Sequence, residues 1–190
     1  ILKKESEEID KKIEKLKKIK KNIKYRYDEL IWAQECKEMG QPYISLEDER
    51  YILRLNSLVE NKGDLELGLR KLNGNDEPMV FTGRVGLIIS KEKLENKKFD
   101  SFDSIYILLD ENENYNYNKV LTIEKGMYAT IYYSAGHKEN KKYLLKLIHY
   151  IVNNGYKIIG DAFERTIIDE FIEKKENRIL TVIEIPIEKN

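Results

Sequence analysis

Several things are scarce in this chain of 190 residues, and each scarcity narrows the field. A single cysteine, Cys36, excludes an internal disulfide and a thiolate metal cluster. Two histidines, His137 and His149, are too few for a histidine-built zinc centre, and neither a metal nor a cofactor is expected. The 34 basic side chains are matched by 34 acidic ones, so there is no basic excess of the kind a free-standing nucleic-acid binder carries. No apolar run approaches the ~20 residues that span a bilayer, and no signal peptide opens the sequence. A soluble, cytoplasmic protein with no membrane partner is expected. Gly83-Arg84-Val85-Gly86 is too short to cradle a phosphate and lies within a strand pattern, so it reads as a bulge or a close backbone approach. There is no Gly-x-Ser-x-Gly elbow, and Cys36 falls in a predicted long helix without a sign of activation. His137 reads as a surface residue at a helix start. No catalytic residue is assigned.

What is abundant divides the chain in two. Charged residues make up 36% of it, well above the usual share, which points to a solvated helix. Residues 1–39 contain no Gly or Pro, and Leu2, Ile9, Leu16, Ile23 and Leu30 recur every seven positions. With these as d, the a row is Ser6, Ile13, Lys20 and Tyr27, a coiled-coil seam weakened at two points. Such a helix would be ~57 Å long and needs a partner, either a second copy or its own domain. Residues 1–40 are therefore expected to form a dimerisation helix, with Gly40 at its C′ position and Pro42 blocking continuation.

From residue 43 to 190 the period shortens. Strands are predicted over 51–58, 79–90, 104–109, 126–134, 156–169 and 179–187. Helices are predicted over 64–72 and 138–153, with an Asn- and Tyr-rich loop over 112–118. Leu144, Leu145, Ile148, Ile151 and Val152 are assigned to the inner face of the second helix. Each half reads strand, helix, strand, strand. The expected fold is α+β: a duplicated β-α-β-β antiparallel-sheet domain behind a long N-terminal helix, with a ligand cleft between the halves.

Glu164 is the anomaly. Alternation in 156–169 places it between Ala162 and Thr166 on one face, while Phe163 and Arg165 take the other. Two readings stand: an exposed or salt-bridged strand glutamate, or a partly buried carboxylate among rings that attracts an apolar cation. Candidate rings are Tyr106, Tyr128, Tyr132, Tyr133, Tyr143 and Phe163. In the strand over 126–134 only one of the two alternating sets faces a pocket. With no cation present, burial should favour the protonated carboxyl or a tyrosine hydrogen bond to it. Glu184, in the last strand, is a second buried-carboxylate candidate, structural or ligand-facing.

Residues 122–187 resemble the gyrase-inhibitor-like, or effector-binding, domains of bacterial regulators. The resemblance rests on Gly126-Met127-Tyr128-Ala129-Thr130, Ile151-Val152-Asn153-Asn154-Gly155-Tyr156, Ala162-Phe163-Glu164 and Ile183-Glu184-Ile185-Pro186-Ile187, in that order. A long helix directly ahead of such a domain is similar to the dimerising linker of MerR-type multidrug sensors. The resemblance implies a homodimer through that helix, contact with promoter DNA only through a DNA-binding domain upstream of these residues, and a lipophilic, cationic or aromatic effector. It implies that Phe163-Glu164 is the family's aromatic–glutamate pair, with Phe for the commoner Tyr. Tyr128 takes an aromatic pocket position, Tyr143 stands in for an aromatic missing at Asn140, and Glu184 is a structural acid. It leaves two alternatives: a small-molecule hydrolase of the same superfamily using Glu164 with a tyrosine, or a stand-alone sequestering protein.

Overall fold

The computed structural model describes residues 2–35, 39–73, 84–109, 120–168 and 179–190. The chain divides into two compact units, residues 1–37 and 38–190, and each is described by itself.

The first unit is one continuous helix, α1 (Leu2–Glu35), of 34 residues. Absence of Gly and Pro lets it run unbroken for ~51 Å. Its apolar residues Leu2, Ile9, Ile13, Leu16, Ile19, Ile23 and Tyr27 stand 43–82% exposed.

Among its described residues the second unit holds nine strands and three α-helices. In chain order these are β1 (Tyr43–Glu47), β2 (Arg50–Val59), α2 (Lys62–Asn73), β3 (Val85–Ile89), α3 (Lys91–Glu95), β4 (Phe102–Leu108), β5 (Val120–Ile123), β6 (Gly126–Tyr133), α4 (Asn140–Asn153), β7 (Tyr156–Ile158), β8 (Ala162–Ile168) and β9 (Leu180–Lys189). The strands make a single antiparallel sheet ordered β1-β6-β9-β8-β3-β4-β2-β5, with β7 paired to β9. The order β2-α2-β3-β4 recurs as β6-α4-β8-β9, and the two sets join where β3 pairs β8. The flanking strands are exchanged: β1, which precedes β2, pairs with β6, whereas β5, which precedes β6, pairs with β2.

Local sequence explains the helix starts. Asn61 accepts from the backbone of Gly63 and Asp64, and Asp64 accepts in return from the backbone of Glu60 and Asn61, a reciprocal cap for α2. Ser90 caps α3. Gly68 lets α2 lie close on β4, since a Cβ there would stand 2.1 Å from Ile105 Cδ1. One face of the sheet carries the main core, where Leu69, Leu144, Leu147 and Ile151 pack on Leu87, Ile105, Ile131 and Ile183.

The opposite face is concave, as one ion pair demonstrates. β2 and β9 lie four strand spacings apart, roughly 19 Å in a flat sheet. Yet Arg50 of β2 and Glu184 of β9 meet at 2.7 Å. The sheet therefore curls until its two halves face each other, and Ile52, Ile88, Tyr106, Ile123 and Tyr128 fill the hollow.

Several expectations are corrected. The stretch 156–169 is not one strand: β7 and β8 are separated at 159–161, where the Ile159 N–H bonds the Pro186 carbonyl at 3.0 Å. A side chain on Gly160 would press on Pro186 at 2.9 Å, so that corner needs glycine. The strand predicted over 79–90 begins at Val85; residues 79–83, Gly83 included, lie outside the described residues, as does the loop over 112–118. The buried stripe of α4 is Asn140, Leu144, Leu147 and Ile151, at helical spacing, so Leu145 and Val152 point outward and Leu147 inward. Strands β1 and β5 and helix α3 were not expected. Gly40 has the left-handed φ of 73° expected of a C′ glycine, although residues 36–38 are outside the described set. Gly86 is a close approach: a Cβ there would stand 2.3 Å from the Tyr106 ring.

Candidate functional site

The predicted site residues fall on the two faces of the sheet. Register pairs Glu164 with Leu87 and Ile183, on the helix-covered face, while Phe163 pairs with Ile88 and Glu184, on the concave one. Tyr133 and Tyr143 belong with Glu164. Tyr106, Tyr128 and Glu184 belong with Phe163.

On the helix-covered face Glu164 is fully buried, 0% exposed. Its carboxylate is held by two donors from the segment that leads from β6 into α4. His137 Nδ1 bonds one oxygen, and Asn140 Nδ2 donates to the other at 3.1 Å. An ionised carboxylate only accepts, so with Glu164 in that form the proton of this hydrogen bond belongs to His137 Nδ1. The other ring nitrogen lies 3.3 Å from Thr166 Oγ1. Phe102 meets the same ring edge-on, centroids 5.8 Å apart.

His137 lies in a single 3-10 turn, His137–Glu139, entered through Gly136. Its side chain is 34% exposed, so it is the layer between Glu164 and solvent. The turn is pinned where Thr181 donates to the Ala135 carbonyl at 2.7 Å. Sequence reading took His137 for a surface residue, because a histidine after glycine at a helix start carries no mark of a buried partner 27 residues on. Beside this pair lies one of the candidate tyrosines.

That tyrosine, Tyr133, is buried and stacks on Tyr143 of α4, centroids 4.0 Å apart and planes at 14°. Its hydroxyl has no hydrogen-bond partner among the described residues. Burial, then the nearby Glu164 charge, push this phenol well above its ordinary range. The site is therefore a carboxylate and a stacked aromatic pair with a buried hydroxyl, beneath His137 and Asn140. Among the described residues no group of three or more His, Cys, Asp or Glu could hold a metal ion.

On the concave face, Glu184 bonds Arg50, and the Arg50 guanidinium lies over the Tyr128 ring at 5.6 Å. Burial dominates the Arg50 environment and lowers its pKa, but the Glu184 charge and hydrogen bond outweigh it and raise the balance. Tyr128 donates to the Glu124 carbonyl at 2.7 Å, and Tyr106 meets Phe163 edge-on at 5.8 Å. Among the described residues, no helix is long and apolar enough to cross a membrane.

No family model matches the chain. A multidrug-efflux transporter 2 regulator from Bacillus subtilis is 26% identical over 187 residues, covering 90% of this chain and 62% of that protein. This chain thus spans about three-fifths of the regulator's length. The crystal structure of the EcmrR C-terminal domain superposes with a TM-score of 0.56 at 14% identity, over 79% of this chain and 98% of that one. EcmrR in a DNA complex matches at 0.54 and 14%, over 94% and 70%. A hydrolase from Listeria innocua matches at 0.51 and 7%, over 82% and 96%. The solved structures share the α+β fold of the second unit.

Proposed function

We propose, from the premise that this chain is similar to MerR-type regulators of multidrug efflux, that it is the effector-sensing and pairing part of such a regulator. Its effector is a lipophilic cation, which takes the place of His137 and Asn140 against Glu164. The observation that carries this reading is the full burial of Glu164 with no lysine or arginine bonded to it among the described residues, only His137 of the 3-10 turn and Asn140 at the start of α4. A buried carboxylate attracts an apolar cation strongly because the surrounding dielectric is low, and the Tyr133–Tyr143 pair adds cation–π attraction. Opening the cover costs Glu164 its hydrogen bonds, a loss that the Coulomb attraction of a cation offsets and a neutral or anionic ligand of the same shape does not, which gives selectivity for charge. Because the cover belongs to the β6–α4 connection, binding favours one conformation of the domain over another, as a sensor requires. Pairing through α1 would pass that preference to DNA-binding domains upstream.

Calorimetric titration with tetraphenylphosphonium and with the equal-sized anion tetraphenylborate tests this. Saturable binding of the cation alone, weakened about tenfold or more by Glu164→Gln, is expected. Equal binding of both ions, or an unaffected variant, refutes it.

A hydrolase reading has one observation in its favour: an unpaired Tyr133 hydroxyl beside a carboxylate–histidine pair, a possible acid and base. Multiple turnover of an activated aryl ester, abolished by Glu164→Gln, would favour it over sensing.

A further inference from the structure

The guanidinium of Arg50 is half used. Nη1 bonds Glu184 at 2.7 Å, but Nε and Nη2 are both buried and no hydrogen bond of ordinary geometry reaches them among the described residues, although the guanidinium lies close enough to the Tyr128 hydroxyl to favour its ionised form. Those two nitrogens form the side-on edge of the group. Its parallel N–H bonds match the two oxygens of one carboxylate, which a lysine's point charge does not. Buried donors are almost always paired, so an empty pair on one edge marks a place that something fills. The surroundings indicate what. Arg50 guanidinium lies over the Tyr128 ring, and Tyr106, Phe163 and Ile88 line the same hollow. Arg165, buried to 6% exposure, shares this face through its register with Gly86 and Tyr106. Access exists at Arg50 itself, whose side chain is 22% exposed.

We propose that the concave face holds a second ligand site, selective for a small aromatic carboxylate whose two oxygens bridge Nε and Nη2 of Arg50 and whose ring lies against Tyr128, Tyr106 and Phe163. It is on the opposite face of the sheet from Glu164, so it takes the opposite charge and stands whether or not the cation reading holds. Glu184 orients the guanidinium by holding its far nitrogen, which leaves the side-on edge turned to the ligand.

The test uses 1-naphthoate against its neutral isostere 1-naphthamide, by calorimetry and by the Nε–Hε NMR signal of Arg50. Naphthoate binding at least tenfold tighter than naphthamide is expected, with a saturating shift of that signal. Arg50→Lys keeps the charge and removes the fork; it should weaken naphthoate at least tenfold and leave tetraphenylphosphonium affinity unchanged. Equal affinity for acid and amide, no naphthoate binding at millimolar concentration, or a variant that binds naphthoate as well as the parent overturns the proposal. If Arg50→Lys fails to fold, the parent's Nε–Hε signal decides: a saturating shift supports the site, and a static one overturns it.

Discussion

Burial sets the chemistry of three tyrosines of the domain. Tyr106, Tyr128 and Tyr133 have phenols pushed up, in each case chiefly by loss of water. A phenol that keeps its proton longer in the fold than in the unfolded chain stabilises the fold fully below about pH 10, and that stability is lost as pH rises further. Absorbance at 295 nm should therefore include a late phase from these three, above about pH 10 and coincident with loss of near-UV circular dichroism. A single phase near pH 10 with the fold intact would contradict the burial of these three. At the same scale, Glu164 was legible as an anomaly because it interrupts an apolar alternation between Ala162 and Thr166. Its partners were not, because His137 and Asn140 reach it from a turn and a helix start 27 and 24 residues away, and alternation carries no information across that distance.

Elements with a strong period could be read directly and short edges could not. β6, α4 and β9 each present a long buried set, and their existence and type were evident from the sequence. β1 and β5 have five and four residues, lie at the two ends of the sheet, and bury too little to leave a pattern. The Arg50–Glu184 contact joins residues 134 apart, so the curl that separates concave from helix-covered face was out of reach, and with it the division of the candidate site. Within β3, Gly86 is where the Tyr106 ring crosses the backbone at what would be 2.3 Å from a Cβ. Gly86→Ala should overpack the concave face and cost about 1–3 kcal/mol in urea unfolding. A loss below ~0.5 kcal/mol would mean that the ring moves aside freely.

For the whole molecule the open question is what covers α1. Among its described side chains the exposed apolar ones include the heptad positions Leu2, Ile9, Leu16 and Ile23. A helix this polar elsewhere is marginal alone in water, and pairing with a second copy would bury the seam. In sedimentation equilibrium at micromolar concentration the chain should be dimeric. Ile9→Asp combined with Ile23→Asp should weaken the dimer at least ~100-fold, since four large apolar groups per dimer lose their burial. A monomeric parent, or a double variant that stays dimeric, would show that pairing does not run through this seam. Seven-residue spacing made the seam readable. The partner was not, because the spacing is the same whatever covers it.

The most direct test of the central claim watches Glu164 change partners. With two histidines in the chain, the ring N–H of His137 is simple to assign in a histidine-labelled sample. Its hydrogen bond to a buried carboxylate should give a downfield, slowly exchanging proton signal in the free protein. Saturation with tetraphenylphosphonium should abolish that signal while the fold persists. Binding of the cation with the His137 signal unchanged would place the ligand elsewhere and contradict the account.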